Sequence, residues 1–246
     1  MDTPEMDRRR DELRCEGLRE NLAKAGVSIS IEDLARGFSG SNAWLVDIWK
    51  RGEQVSTLEQ IRYIVNHATK NRATLPTDPE VLRRLEESYW SPGLTEPATL
   101  NVHAREVLQR LRKLGLKIGL ICNTGRGPGH VLRELMRRED VLDYFDATVF
   151  SDEVGYGKPD KRIFLAAAEK MGLKPTDILH VGDNIENDVK GAQGAGMKTL
   201  LFDYEVPLGF REQPSLLVLT RASDSGAEIK PDGRIKSLSE ILKFVR

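Results

Sequence analysis

The spacing of apolar residues divides the chain into two parts. Before about residue 92, apolar side chains recur every three or four positions, as they do on the buried face of an amphipathic helix. Leu13, Leu18 and Leu22 lie on one such face, and Gly26 ends that helix. The same spacing predicts further helices over 31–38, 42–51, 61–68 and 81–89. This part is therefore predicted to be all-helical.

From residue 93 the pattern changes to short apolar runs that alternate with helical stripes. Such runs are typical of strands buried on both faces of a parallel sheet. Strands are predicted at 117–122, 146–150, 178–182, 198–202 and 216–219, and helices at 131–138, 163–171, 188–194 and 238–245. This alternation predicts an α/β fold with a doubly wound, mostly parallel, Rossmann-like sheet.

The composition excludes several classes of protein. Of the 246 residues, 39% are hydrophobic and 30% are charged, and the formal net charge of -1 leaves no excess of basic residues for nucleic acid. No apolar run approaches the roughly 20 residues that a membrane span requires. No secretion leader opens the sequence, and Cys15 and Cys122 are too few for a disulfide framework. A cytoplasmic globular protein is expected, and the pattern gives no oligomeric state.

Candidate chemistry follows the predicted strands, because ligands of open parallel sheets bind beyond the carboxyl ends of the strands. Asn123, Thr124 and Gly125 follow the first strand and offer a hydroxyl and backbone amides to a phosphate oxygen. By itself, Thr124 would be interpreted as a helix cap or a turn residue. Lys158 follows the second strand, between Gly157 and a proline, although an isolated lysine is more often a solvated surface residue.

Two carboxylates follow the third predicted strand. Asp183 comes directly after it, and Asp188 lies five positions on, near the start of the next helix. Mg²⁺ prefers oxygen ligands, and it keeps several waters beside one or two carboxylates. Helix capping accounts for one of the two aspartates only. His180, inside the strand, is predicted to be a packed and hydrogen-bonded core residue.

These motifs, in this order, resemble those of the haloacid dehalogenase (HAD) superfamily of hydrolases. The segment GDNIENDVKGAQGAGM at 182–197 is the most specific, while Asn123-Thr124 and the Gly-Lys-Pro-Asp at 157–160 match the second and third family motifs. The resemblance implies a HAD-like core at 93–246, a helical C1-type cap at 11–92 and a remnant of the first motif region at 1–10.

The resemblance also implies an activity, that of a Mg²⁺-dependent phosphatase that acts on a small phosphorylated metabolite through a phospho-aspartate. In this assignment Thr124 and Lys158 are catalytic and bind the phosphoryl group together with Asn123 and Gly125. Asp183 and Asp188 would hold the metal. The assignment requires Thr124, Lys158 and Asp183 to converge at one cleft rim.

The family's first motif, Asp-x-Asp-x-Thr at the end of the first core strand, has no counterpart in this sequence. We expect a misassigned start or a fragment in preference to a catalytically dead relative, and either of these in preference to a substitute strand at 27–31. The missing strand would lie between those ending at Cys122 and Val181, so two unpaired inner edges and poor stability are expected. No phosphatase turnover is expected from this chain.

Two alternatives to a phosphatase stay open. A non-catalytic binding or scaffolding protein with this fold would account for the absent nucleophile. A metal-independent dehalogenase of the same superfamily is disfavoured, because it has no use for the two carboxylates Asp183 and Asp188. A dinucleotide-binding protein has less support still, since no Gly-x-Gly-x-x-Gly follows a predicted strand.

Overall fold

The computed structural model describes residues 4–203 and 229–245, and its first part is helical. The helices are α1 (Pro4–Lys24), α2 (Ile31–Lys50), α3 (Thr57–Thr69), α4 (Pro79–Trp90) and the single turn α5 (Pro92–Thr95). Ser30, Ser56 and Asp78 precede α2, α3 and α4 and accept hydrogen bonds from first-turn amides. None of the helices in the described ranges is both long and apolar enough to cross a bilayer.

Most of the predicted helical stripes share one hydrophobic core, and Leu45, Ile48 and Trp49 in the second half of α2 form a separate one. Leu18 and Leu22 of α1 are fully buried against Leu34 of α2 and Ile64 of α3. The prediction of an all-helical first part is therefore confirmed. One boundary was wrong, because the helices predicted at 31–38 and 42–51 are a single helix, α2.

Gly37 lies inside α2 although glycine weakens a helix, and its contact with α3 accounts for its presence there. A Cβ atom at position 37 would overlap the carbonyl oxygen of Ile64 and crowd Ala68, both on α3. The missing side chain thus lets the backbones of α2 and α3 approach closely. At Gly40, by contrast, a Cβ atom would meet the imidazole ring of His67, which is exposed.

We expect Gly37→Ala to lower the free energy of unfolding by about 1–3 kcal/mol, since overpacking against a backbone carbonyl cannot be relieved by a side-chain rotation. Gly40→Ala is the matched control, because the exposed ring of His67 can turn away and alanine gains about 1 kcal/mol of helix propensity. Urea unfolding of both variants tests this expectation. Equal losses would contradict the close approach at Gly37.

The second part is an α/β unit, and all the strand pairs that the structure describes in it are parallel. The strands are β1 (Gly119–Cys122), β2 (Ala147–Phe150), β3 (Leu179–Gly182), β4 (Lys198–Phe202) and β5 (Gly233–Ile235). The longer helices are α6 (Ala104–Lys113), α7 (Gly129–Arg138) and α9 (Lys161–Met171), and the single turns are α8 (Ser151–Val154) and α10 (Gly191–Gly194). The predicted fold class is confirmed, whereas the division at residue 93 stays a prediction.

Three details differ from the prediction. The helix expected at 188–194 begins earlier, as a π-helical turn over Ile185–Lys190, and the final helix is a 3₁₀ helix over Leu238–Lys243. The short strand β5 was not predicted. The strand predicted at 216–219 lies outside the described residues.

The described strands form two separate sheets, β1–β2 and β3–β4–β5. Helix α9 joins them, because Ile163, Phe164 and Ala167 share one buried cluster with Val149 of β2 and with residues that flank β3 and β4. Residues 27–30 form no strand, and α2 begins at Ile31. Within the part of the chain that the structure describes, no segment therefore bridges β1 and β3 by hydrogen bonds.

Candidate active site

A buried ion pair lies where β1 and β3 end. Lys158 Nζ is 2.6 Å from Asp188 Oδ1, and the two side chains are 15% and 3% exposed. His180 Nε2 lies 3.0 Å from the same oxygen, and the Asn184 amide donates to Oδ2 at 3.0 Å. Burial alone would raise the pKa of Asp188, but Lys158 and His180 hold it well below its usual range.

The ion pair also stabilises the charged form of Lys158. Its burial opposes the charged form, but the neighbouring Asp188 outweighs this effect and raises the pKa of Lys158 above its ordinary value. Both partners are therefore ionised at neutral pH. The structure thus places a fully charged lysine in the interior, beyond the carboxyl ends of two sheets.

The local backbone geometry positions the Asp188 carboxylate beside Lys158. Asn184 caps the π-helical turn by accepting hydrogen bonds from the amides of Glu186 and Asn187, which places Asp188 one turn beyond the end of β3. A Cβ atom at Gly182 would overlap the Asp188 carboxyl group. Glycine is therefore required there so that this carboxylate can lie directly over the strand end, and π-helical turns of this kind are frequent at functional sites.

Asn123 holds the loop that carries Lys158. Its Nδ2 donates to the Lys158 carbonyl at 2.8 Å, and its Oδ1 accepts from the Lys158 amide at 2.6 Å. Both functional groups of this amide side chain are thus used to fix the lysine backbone beside the end of β1. The predicted contact of Asn123 with phosphate stays a prediction.

Thr124 is 4% exposed and is anchored to the segment that follows β2. Its amide donates to Ser151 Oγ at 2.8 Å, its hydroxyl lies 3.0 Å from the same oxygen, and Oγ1 accepts from the Asp152 amide at 3.2 Å. Thr124 does not cap the next helix, because α7 begins five residues later, at Gly129. The interpretation of Thr124 as a plain helix cap is therefore wrong.

The described residues do not by themselves complete a magnesium site. Asp183 follows β3 and is exposed, but both carboxylate oxygens of Asp188 already accept hydrogen bonds, from Lys158, His180 and the Asn184 amide. No group of three or more His, Cys, Asp or Glu side chains suited to a metal occurs within 4–203 and 229–245. The role of Asp183 and Asp188 as metal ligands stays a prediction.

Arg126 is a site residue that the sequence did not single out. It lies in the loop after Thr124 and is 7% exposed. Its guanidinium stacks on the Phe38 ring at 3.8 Å from the centroid and donates to Ser41 Oγ, to Asn42 Oδ1 and to the Tyr89 hydroxyl. The loop is thus fastened to the helical part.

A second contact, through Gln60, fastens the same loop. Gln60 Oε1 accepts from the Tyr89 hydroxyl at 2.8 Å, while Gln60 Nε2 donates to the Gly125 carbonyl at 3.2 Å. An arginine between two glycines in a predicted ligand loop was the available signal for Arg126. Its partners lie 37–85 residues away, however, and no local pattern identifies them.

A cavity of about 400 Å³ opens between the helical part and this loop. Thr124 and Gly125 line one wall, and Trp90 and His130 contribute rings that meet edge to face, with centroids 5.1 Å apart. The cavity places free volume directly beside the Thr124 loop.

Comparisons with known proteins agree with this architecture. A family model described as haloacid dehalogenase-like hydrolase matches residues 15–196, and a second one, described as HAD-hydrolase-like, matches residues 155–241. The first match spans most of the helical part together with β1, β2 and β3.

Curated relatives and solved structures are similar to this chain over different lengths. The glyceraldehyde 3-phosphate phosphatase of Pyrococcus furiosus is 34% identical over 178 residues, which cover 62% of this chain and 72% of that protein. The chain spans 39% of the Methanopyrus kandleri protein of the same name. A HAD phosphatase structure from Thermococcus onnurineus has a TM-score of 0.54 at 21% identity and covers 94% of this chain and 87% of its own, a likeness that shows the fold.

Proposed function

Since this chain belongs to the haloacid dehalogenase-like hydrolase family, we propose that it serves the hydrolysis of a phosphate ester of a small metabolite. The observation that carries the proposal is the buried, ionised Lys158, held by Asp188 at 2.6 Å. Asp188 balances the charge of Lys158, but the fixed ammonium can still donate N–H groups to an anionic group beyond the ends of the parallel strands. Relatives that are phosphatases of small phosphorylated compounds support the same assignment.

Each proposed role follows from the donors that the side chain offers. An ammonium carries three N–H donors, and Asp188 accepts from one of them, so Lys158 can also neutralise a phosphoryl oxygen. The Thr124 hydroxyl turns its hydrogen to a second phosphoryl oxygen while Ser151 and the Asp152 amide donate to Oγ1. Together with the Gly125 amide, Thr124 and Lys158 would form the phosphate seat, and Asn123 holds the loop that carries Lys158.

The nucleophile is the part of this mechanism that the chain does not supply. Transfer to a phospho-aspartate requires the Asp-x-Asp pair of the family, and no two aspartates in the sequence are separated by a single residue. We therefore propose that residues 1–246 bind the phosphoryl group without turning it over. Mg²⁺ is the cofactor expected for the reaction, and Asp183 is the exposed carboxylate that this chain would offer to it.

A fusion experiment tests this proposal. Purified residues 1–246 are assayed with p-nitrophenyl phosphate and Mg²⁺, beside a fusion that carries an apolar strand ending in Asp-x-Asp ahead of residue 1. We expect no turnover from the first protein and Mg²⁺-dependent turnover from the second. A fusion with Asn-x-Asp is the matched control and is expected to be inactive. Turnover by residues 1–246 alone would overturn the assignment of the nucleophile.

A non-catalytic ligand-binding protein is the second candidate, and the lack of an Asp-x-Asp pair favours it. The same fusion separates the two functions, because a binding protein would stay inactive when the strand is supplied while it continued to bind inorganic phosphate. A dehalogenase is tested in parallel by halide release from 2-chloropropionate. We expect none.

A further inference from the structure

The cavity beside Thr124 has a charge pattern that no role described above uses. Its lining includes one cationic side chain, Arg83, and three carboxylates, Glu86, Glu87 and Asp152. Arg83 forms an ion pair with Glu87 at 2.9 Å and another with Glu80, so its charge is already balanced. The cavity therefore has a negative lining although the reaction involves an anionic ester.

Glu86 and Asp152 are the two carboxylates that set this charge. Neither forms an ion pair with a cationic side chain in the described ranges, and Asp152 Oδ2 accepts only a backbone hydrogen bond, from the Gly129 amide at 3.0 Å. Arg126 does not line the cavity; it is buried and donates to the Tyr89 hydroxyl, which in turn donates to Gln60. The negative potential is thus open to a ligand.

The remaining lining is aromatic and polar. Trp90 and His130 form an edge-to-face pair, and Ser56 and Thr57 contribute hydroxyl groups from the start of α3. A volume of about 400 Å³ admits a small organic group. Because Thr124 forms part of the wall, a phosphoryl group seated on Thr124 would direct the rest of the ester into this space.

We infer that this cavity receives the leaving group of the ester and selects leaving groups that carry hydroxyl or ammonium groups over those that carry a carboxylate. The inference rests on the proposed function, since it assumes that the phosphoryl group is bound at Thr124 and Lys158. Like charges in a partly desolvated cleft repel strongly, whereas hydroxyl and ammonium groups donate to Glu86 and Asp152.

Calorimetric titration of residues 1–246 with matched esters tests the inference. Glycerol 3-phosphate is compared with 3-phosphoglycerate, and phosphoethanolamine with phosphoglycolate, because each pair differs mainly in the group that replaces the carboxylate. We expect the ester without a net negative leaving group to bind roughly tenfold more tightly in each pair. Equal affinities, or tighter binding of the carboxylates, would overturn the inference.

Glu86→Gln tests whether the preference for esters without a carboxylate arises from the cavity. This variant keeps the size of the side chain and removes one carboxylate, so the difference within each pair is expected to shrink to roughly threefold. Glu20→Gln on the exposed face of α1 is the matched control, and it is expected to keep the full difference. An undiminished difference in Glu86→Gln would overturn the assignment to this cavity.

Inorganic phosphate, titrated alone, separates failure of the inference from failure of the proposed function. Phosphate binding without discrimination among the esters would contradict the selectivity and leave the phosphate seat standing. A chain that binds neither inorganic phosphate nor any ester would contradict the seat itself, and the inference that rests on it would fall as well. Circular dichroism of each variant verifies that it is folded.

Discussion

Lys158→Met is expected to lower the free energy of unfolding by about 3–5 kcal/mol at pH 7, because it leaves the Asp188 carboxylate buried without its cation. The side chain of Asp188 is 3% exposed, and the lysine lies 2.6 Å from it. Methionine retains the length and apolar stem of lysine, so the loss reports mainly the unpaired charge. Urea unfolding followed by circular dichroism measures it.

The loss should also depend on pH, in a direction that follows from the pKa of Asp188. In the unmodified protein this pKa lies well below its usual range, so the stabilising pair is complete above the ordinary carboxyl pKa of about 4 and is lost as the pH falls towards the folded value. Without Lys158, burial raises the pKa of Asp188. The variant's loss in free energy of unfolding, relative to the unmodified protein, is therefore smallest in acid and largest at neutral pH.

Two further variants check the cause of the loss. Lys158→Met combined with Asp188→Asn removes the unpaired charge and keeps a hydrogen-bonding side chain, and it should recover more than half of the stability. Lys243→Met is the matched control, since the Lys243 side chain is 70% exposed and its pair with Glu240 is worth at most about 1 kcal/mol. A pH-independent loss, or no recovery in the double variant, would contradict the role of the ion pair.

For the buried Asp188, the sequence predicted its position in the chain but not its contacts. The sequence placed Asp183 and Asp188 after the strand β3, as the structure does, because a strand followed by a helix fixes where the chain turns; their role as metal ligands stays a prediction. The spacing did not reveal that the turn is π-helical or that Gly182 lets Asp188 lie over the strand end. Nor did it reveal that Asp188 pairs with Lys158, which lies in a loop 30 residues away.

The same distinction holds for the fold. Apolar spacing predicted α1, α3, α4 and the strands β1–β4, since each of these elements buries a stripe or a run that is visible locally. It predicted a break at 39–41, where α2 continues, and it did not reveal that Gly37 serves a contact with α3. It also missed β5, which has only three residues. Local patterns thus located the elements but not the contacts between them.

Arg126 is the clearest case of a contact that no local pattern predicts, and its removal gives the second large effect. Arg126→Met is expected to cost about 3–5 kcal/mol, because the Tyr89 hydroxyl, Ser41 and Asn42 all lose a charged donor in a buried environment. Arg83→Met is the matched control, since Arg83 is 60% exposed and its ion pairs with Glu80 and Glu87 lie at the surface.

A double-variant cycle with Tyr89→Phe identifies the buried network as the source of this loss. The phenol bridges Arg126 and Gln60, so removal of its hydroxyl should make the second substitution less costly, with a coupling free energy of about 1–3 kcal/mol. Hydrogen exchange should show faster opening at Gly125 and Gly127 in Arg126→Met, because the loop would be fastened only through Gln60. Strictly additive losses, with unchanged exchange in the loop, would show that Arg126 does not fasten the Thr124 loop to the helices.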